Sequence, residues 1–248
     1  MDNKNILNLF KKLRLKKNDN ILIHTNMGGM YQFKRDSSLK NICESFFLSL
    51  KKYIGPKGTI LIPAYNYKFT KAKNYNRFTS PSEVGELGNW LIDKFPLNRT
   101  LDPVFNHFVF GRYKSRIFNC SIDEAFGEKS IFNLIFKKNF KIICFCCSPK
   151  VITFLHFIEK KFQVNYRYNK IFLSKIFKDK KNKLLRYKYY VGKKNIDYSI
   201  KEKKVIIAIK KKVVKANFGR FACYCISTKN LYKSIQQRIK ITDDYLIK

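Results

Sequence analysis

The chain has 248 residues, 45% hydrophobic and 16% aromatic, with 52 Lys+Arg against 17 Asp+Glu for a formal charge of +35. That apolar mass excludes an intrinsically disordered chain, which lacks aromatic and β-branched residues. The length predicts one large domain or two small ones. The longest apolar runs, Ile142 to Cys147 and Val205 to Ile209, fall far short of the ~20 residues that cross a bilayer. The opening segment mixes charge with apolar residues and lacks the continuous core of a signal peptide, so a cytoplasmic location is the default expectation.

A helix with apolar residues at Ile6, Leu9, Phe10 and Leu13 opens the chain. Asn18-Asp19-Asn20 then turns into a strand, Ile21 to Ile23, that ends in His24-Thr25-Asn26-Met27-Gly28-Gly29. Ser37-Ser38 caps a helix running to about Tyr53, and the turn Gly55 to Gly58 leads into a strand, Thr59 to Ile62. This helix-strand-helix-strand order predicts an α/β core. Ser80-Pro81-Ser82-Glu83 caps a helix over 82–94. Strands are expected near His107 to Phe110, Ile142 to Phe145, Phe162 to Phe172, Leu184 to Val191 and Val205 to Val214. Helices are expected near 130–138, 149–161 and 228–240. No linker divides the chain, so it reads as a single domain.

The charge favours polyanions in principle. However, the lysines lie in short groups all along the chain, and no RNA-binding or zinc-finger signature accompanies them. A low-GC coding bias and a solvated surface account for them, so nucleic acid is not an expected partner. Seven cysteines, an odd number, sit mostly in apolar runs and read as reduced core residues. The Cys144/Cys146 and Cys223/Cys225 pairs have one intervening residue rather than the two usual in structural zinc sites. No metal is expected.

There are three histidines, His24, His107 and His156. Thr153, His156 and Glu159 recur at i, i+3 and i+6, so on a helix a hydroxyl, an imidazole and a carboxylate share one arc. A carboxylate three residues from an imidazole orients it and stabilises its protonated form, as a general base requires. The same spacing also fits an ordinary amphipathic helix. A zinc site built on His156 and Glu159 lacks a third ligand. The loop from His24 to Gly29 follows a buried strand and can turn backbone N–H groups towards an anion or a carbonyl oxygen. It has neither GxGxxG nor a P-loop lysine. Arg99-Thr100-Leu101-Asp102-Pro103 precedes the strand holding His107, and Phe126-Gly127-Glu128-Lys129-Ser130 precedes a helix.

Taken in this order, the segments resemble the aminoglycoside 3-N-acetyltransferase family, whose fold is distinct from that of the GNAT acetyltransferases. ILIHTNMGGM is similar to the family's first strand and its His-Ser-Ser type loop, and GTILIPAY to its Gly-Thr-strand-Pro segment. RTLDPVFNHFVFG resembles the Arg-Ser/Thr-x-His/Asp-Pro motif, FGEKSIF the Phe-Gly-x-x-Ser segment, and TFLHFIEKKFQVNYR the Thr-x-x-His-x-x-Glu motif with its Tyr-Arg. ANFGRF, with the helix and Thr242-Asp243-Asp244 after it, is similar to the family's C-terminus.

The resemblance implies a single α/β domain with a central mixed sheet flanked by helices, transferring an acetyl group from acetyl-CoA directly to an amine. It implies His156 as the base, Glu159 as its partner and Thr153 as a donor near the thioester. His24, Thr25, Asn26, Met27, Gly28 and Ser130 would hold acetyl-CoA, and Glu83, Asp102 and Arg99 the acceptor. A homodimer is left open.

Some positions depart from the family's pattern. Thr25-Asn26 stand where two serines are common, and Asp102 where a histidine is. Expected pocket acids are limited to Glu83, Glu86, Asp102 and Glu159, whereas a polycationic aminoglycoside calls for many carboxylates. A neutral or anionic amino sugar of surface-polysaccharide synthesis is therefore an alternative acceptor. A polyanion-binding protein and a metal hydrolase are the alternatives outside this class.

Overall fold

The structure, a computed structural model, describes residues 4–33, 36–178 and 181–248. In chain order its elements are α1 (Lys4–Lys12), β1 (Asn20–Thr25), α2 (Leu39–Ile54), β2 (Thr59–Pro63), α3 (Phe69–Ala72), β3 (Asn74–Asn76), α4 (Glu86–Lys94), β4 (His107–Gly111), α5 (Lys114–Phe118), α6 (Ile131–Lys137), β5 (Lys141–Phe145), α7 (Phe154–Phe162), β6 (Arg167–Lys178), β7 (Lys181–Gly192), α8 (Glu202–Ile209), β8 (Val214–Phe218), β9 (Phe221–Ser227) and α9 (Thr228–Ile239).

β4, β2, β1, β5, β9 and β8 form one mixed sheet in that order. Its centre, β2-β1-β5, is parallel, and β4 and β9 join it antiparallel on either side. Side chains alternate across a strand, and the apolar runs exploit this on both faces. Leu22, Leu61, Val109 and Ile142 pack into one core with α6, α7 and α9. Their neighbours Ile23, Ile62, Phe108 and Ile143 pack into a second core with α1, α2 and α4. Strands covered on both faces read as continuous apolar runs, which is why β1, β2 and β5 are visible in the sequence. A second sheet, β3-β6-β7, carries the long β6-β7 hairpin and closes the first core with Tyr187 and Tyr190. Among the described residues no helix is long and apolar enough to cross a membrane.

Ser38 caps α2 by accepting a hydrogen bond from the Asn41 N–H, and Gly55 ends that helix at φ 75°. The expected strand over Val205 to Val214 is instead α8, with β8 following. Val205 and Ile209 are buried four residues apart, while Ile207 between them is 56% exposed, a helical and not an alternating pattern. The helix expected from residue 82 starts at Glu86, because Gly85 takes φ 95° and Ser82 turns its hydroxyl to the Val84 N–H. The strand expected from Phe162 starts at Arg167, after α7 has run to Phe162 and the left-handed Gln163 has ended it. β9, not anticipated, forms a tight hairpin with β8 through Gly219 and Arg220.

Candidate active site

In open α/β sheets ligands bind outside the carboxyl ends of the parallel strands. Here a cavity of about 400 Å³ opens at that end of β1, β2 and β5. β1 contributes His24 and Thr25, and the chain leaving β2 contributes Pro63, Tyr65 and Tyr67. The turn after β5 contributes Cys147, Lys150 and Val151. Thr153 and His156, from the start of α7, complete the wall with Val84.

His156 Nδ1 lies 2.6 Å from Glu159 Oε2, so Nε2 is the nitrogen free to face the cavity that the ring lines. Glu159 is fully buried, and its other oxygen accepts a 2.7 Å hydrogen bond from the Tyr166 hydroxyl. Arg167 Nε sits 2.8 Å from Oε2, an ion pair without the alignment of a hydrogen bond. Burial alone would push the Glu159 carboxyl up, but His156, Arg167 and Tyr166 outweigh it and hold the group below the ordinary carboxylate range. The imidazole therefore faces a fixed negative charge, as a proton acceptor on a cavity wall requires.

Thr153 precedes α7 without capping it and is buried, so its hydroxyl belongs to the cavity. There it meets Tyr65, whose hydroxyl lies 3.1 Å from His107 Nε2. His107 sits at the same end of the sheet because it pairs antiparallel with Pro63. Burial lowers His107 to about 3, with His24 adding to the effect, and lowers His24 to about 4. Both rings are therefore neutral. His24 Nε2 is buried with no hydrogen-bond partner, a polar atom available to a ligand in the cavity it lines.

The structure thus gathers Thr153, His156, Glu159, His24 and Thr25. Other expected site residues have different surroundings. Arg99 is fully buried and braces loops: its guanidinium donates to Asn106 Oδ1 at 2.7 Å, to the Ala64 carbonyl at 2.9 Å and to the carbonyls of Arg77 and Ser80. Asp102 accepts from the Val104 and Phe105 N–H groups and the Tyr187 hydroxyl, and burial raises it to about 6. Ser130 caps α6 through the Asn133 N–H. None of these three, expected as acceptor or donor contacts, is among the residues that line this cavity. Asn26, Met27 and Gly28 form a turn beside Thr25 in which Asn26 caps the Gly28 N–H, and they do not reach the cavity wall. Glu83 is exposed next to Val84, with Oε2 accepting from the Lys68 N–H. Tyr65, Tyr67, Cys147 and Lys150 went unmarked in the sequence, although each lies just beyond the carboxyl end of a central strand.

A family model for aminoglycoside 3-N-acetyltransferase matches residues 22–240. The chain belongs to that family. Among solved structures, the YokD protein from Bacillus subtilis is similar at 15% identity and a TM-score of 0.77, covering 97% of this chain and 93% of its own. The aminoglycoside acetyltransferase AAC(3)-IVa apoenzyme is 13% identical with a TM-score of 0.75, over 98% and 90% of the two chains. AAC-IIIb, solved as a binary complex with CoASH, is 13% identical with a TM-score of 0.75, over 94% of each. No curated protein matches the chain in sequence. At these identities the solved structures establish that this chain has the fold of the 3-N-acetyltransferase family.

Proposed function

We propose that the chain is an acetyl-CoA-dependent N-acetyltransferase in which His156 is the general base. One observation carries the reading: an imidazole on the cavity wall has Nδ1 held at 2.6 Å by a buried carboxylate that Tyr166 and Arg167 keep ionised. His156 Nε2 would take the proton from the attacking amine as its lone pair forms the bond to the thioester carbonyl carbon. Glu159 would steady the imidazolium that results. The Thr153 and Thr25 hydroxyls on the cavity wall would donate to the carbonyl oxygen as it gains charge. Collapse of the tetrahedral adduct breaks the carbon–sulfur bond, and the proton on His156 passes to the departing thiolate. CoASH in the AAC-IIIb complex and a gentamicin bound to a histidine-to-alanine form of AAC(3)-IVa support the donor and the acceptor class.

The cavity favours a second reading of the acceptor. Among the described residues that line it none is a carboxylate, whereas Lys150 is present. A polycation would find little counter-charge there, so an amino sugar that is neutral or anionic apart from its reacting amine fits better than an aminoglycoside. A polyanion-binding role would instead show salt-steep binding indifferent to His156.

The test is steady-state turnover with acetyl-CoA against gentamicin and against mono-amino sugars. His156→Ala is expected to lower kcat about 10²- to 10⁴-fold without abolishing acetyl-CoA binding. Near-normal turnover in that variant at saturating substrate would remove the base assignment, and tight, efficient use of gentamicin would remove the preference for a less charged acceptor.

A further inference from the structure

In an extended strand, residues three apart point to opposite faces. Cys144 and Cys147 escape that rule. β5 ends at Phe145, and Cys146 takes a left-handed backbone with φ 53°, uncommon for a residue with a Cβ. The reversal returns Cys147 to the side of the sheet that holds Cys144: both pack on the same core, and Cys147 Sγ lies against the carbonyl of His24, the β1 residue paired with Cys144. Cys147 is half-buried, lines the candidate cavity, and has Sγ 3.6 Å from the His24 carbonyl oxygen. Cys144 lies behind it, 1% exposed. Cys146 belongs to the opposite core, packed on Gly29 and 3.9 Å, Sγ to Sγ, from Cys223.

We propose that Cys147 and Cys144 form a thiol modification site in the cavity wall, which low-molecular-weight disulfides close to an intramolecular disulfide. Thiol–disulfide exchange needs an attacking thiol that the oxidant can reach and a second thiol beside it to resolve the product. Cys147 meets the first condition and Cys144 the second. The Cys147 thiolate attacks one sulfur of the oxidant, here glutathione disulfide. That sulfur–sulfur bond breaks, one glutathione leaves, and a mixed disulfide remains on Cys147. Cys144, held protonated by Cys147 and by burial, then attacks Cys147 Sγ as its proton passes to the second glutathione, which leaves. Two protein thiols are oxidised by two electrons, one glutathione disulfide is reduced to two thiols, and the two protons lost by the cysteines end on the two glutathiones.

The other thiols do not meet both conditions. Cys146 and Cys223 are close but enclosed, at 5% and 0% exposed. Cys120 is half-buried two residues past α5, where its thiol contacts the Arg116 carbonyl, and it is not part of the cavity wall. Closing the Cys144–Cys147 bond draws Cys147 Sγ from the His24 carbonyl and reshapes the cavity wall beside Lys150. The inference rests on thiol geometry and does not require that the cavity transfers acetyl groups.

The experiment exposes the reduced full-length protein to glutathione disulfide, caps remaining thiols with N-ethylmaleimide, and maps the peptides by mass. The expected product is the peptide spanning Cys144 to Cys147, lighter by two hydrogens and capped only at Cys146, restored by dithiothreitol. Cys144→Ser should accumulate one glutathionyl group on Cys147, and Cys147→Ser should leave Cys144 capped. In the untreated protein, Cys147 should react with the maleimide about tenfold faster than Cys144. Capping of both Cys144 and Cys147 after oxidant treatment of the wild-type protein would overturn the proposal. So would a Cys146–Cys223 bond in place of the expected one.

Discussion

A buried carboxylate stays ionised only when its partners outweigh its loss of water, and at Glu159 they do so through three side chains. Glu159→Gln keeps the volume and the acceptor for Tyr166 but removes the charge facing His156. The expected outcome is a kcat about 10²-fold lower with KM little changed, read by steady-state kinetics. An unchanged kcat would mean that His156 needs no anionic partner. Arg99 poses the opposite case, a buried cation held by acceptors on the loops around it. Arg99→Ala would strand Asn106 Oδ1 and three backbone carbonyls and should destabilise the fold by about 3–5 kcal/mol. Arg99→Lys should not restore it, because an ammonium cannot serve the planar fork. Urea unfolding checks both variants, and a loss below about 1 kcal/mol would contradict the bracing role.

At the scale of elements, the ends of strands matter more than their middles. β4 ends at Gly111, whose φ of 97° and close approach leave no room for a side chain: a Cβ there would lie 2.0 Å from the Gly58 carbonyl oxygen. Gly111→Ala should therefore cost about 2–4 kcal/mol, with faster amide exchange along β4. Unchanged exchange would show that the β2-β4 edge yields easily. These ends also decide what was readable beforehand. β1, β2 and β5 are continuous apolar runs, and they were legible because both of their faces are covered. Val205 to Ile209 is equally apolar and became a helix, because a run of five does not distinguish the two periods. The hairpin of β8 and β9 went unseen because the burial of β9 does not alternate cleanly. The same limit divides the candidate site. His156 and Glu159 are one helical turn apart, and their contact follows from local spacing. Tyr65 and His107 are 42 residues apart, and Cys147 reaches His24 across 123. Those meetings depend on strand order, which local patterns do not carry.

For the whole molecule, two electrostatic features set its response to pH and salt. The charge of +35 is self-repulsive, so screening should stabilise the fold. His24 and His107 act separately from that repulsion. Lowered to about 4 and about 3, they bind fewer protons folded than unfolded once the pH drops below about 6.5, and stability must fall there. Asp102, raised to about 6, binds more protons folded than unfolded between that value and its ordinary range, so it opposes the loss below pH 6. Two histidines outweigh one carboxyl. At about 1.4 kcal/mol per pH unit for each group, the net loss from pH 7 to pH 5 is about 2–3 kcal/mol. Urea unfolding at both pH values, in low and high sodium chloride, measures it. Salt should raise stability at both, since it weakens the repulsion, while leaving most of the difference between them, since the histidines are buried away from ions. His107→Gln should reduce that difference by removing one of the two groups. If wild-type stability at pH 5 equals that at pH 7, the buried rings take up protons without penalty. The neutral state assigned to His24 beside the cavity would then be wrong.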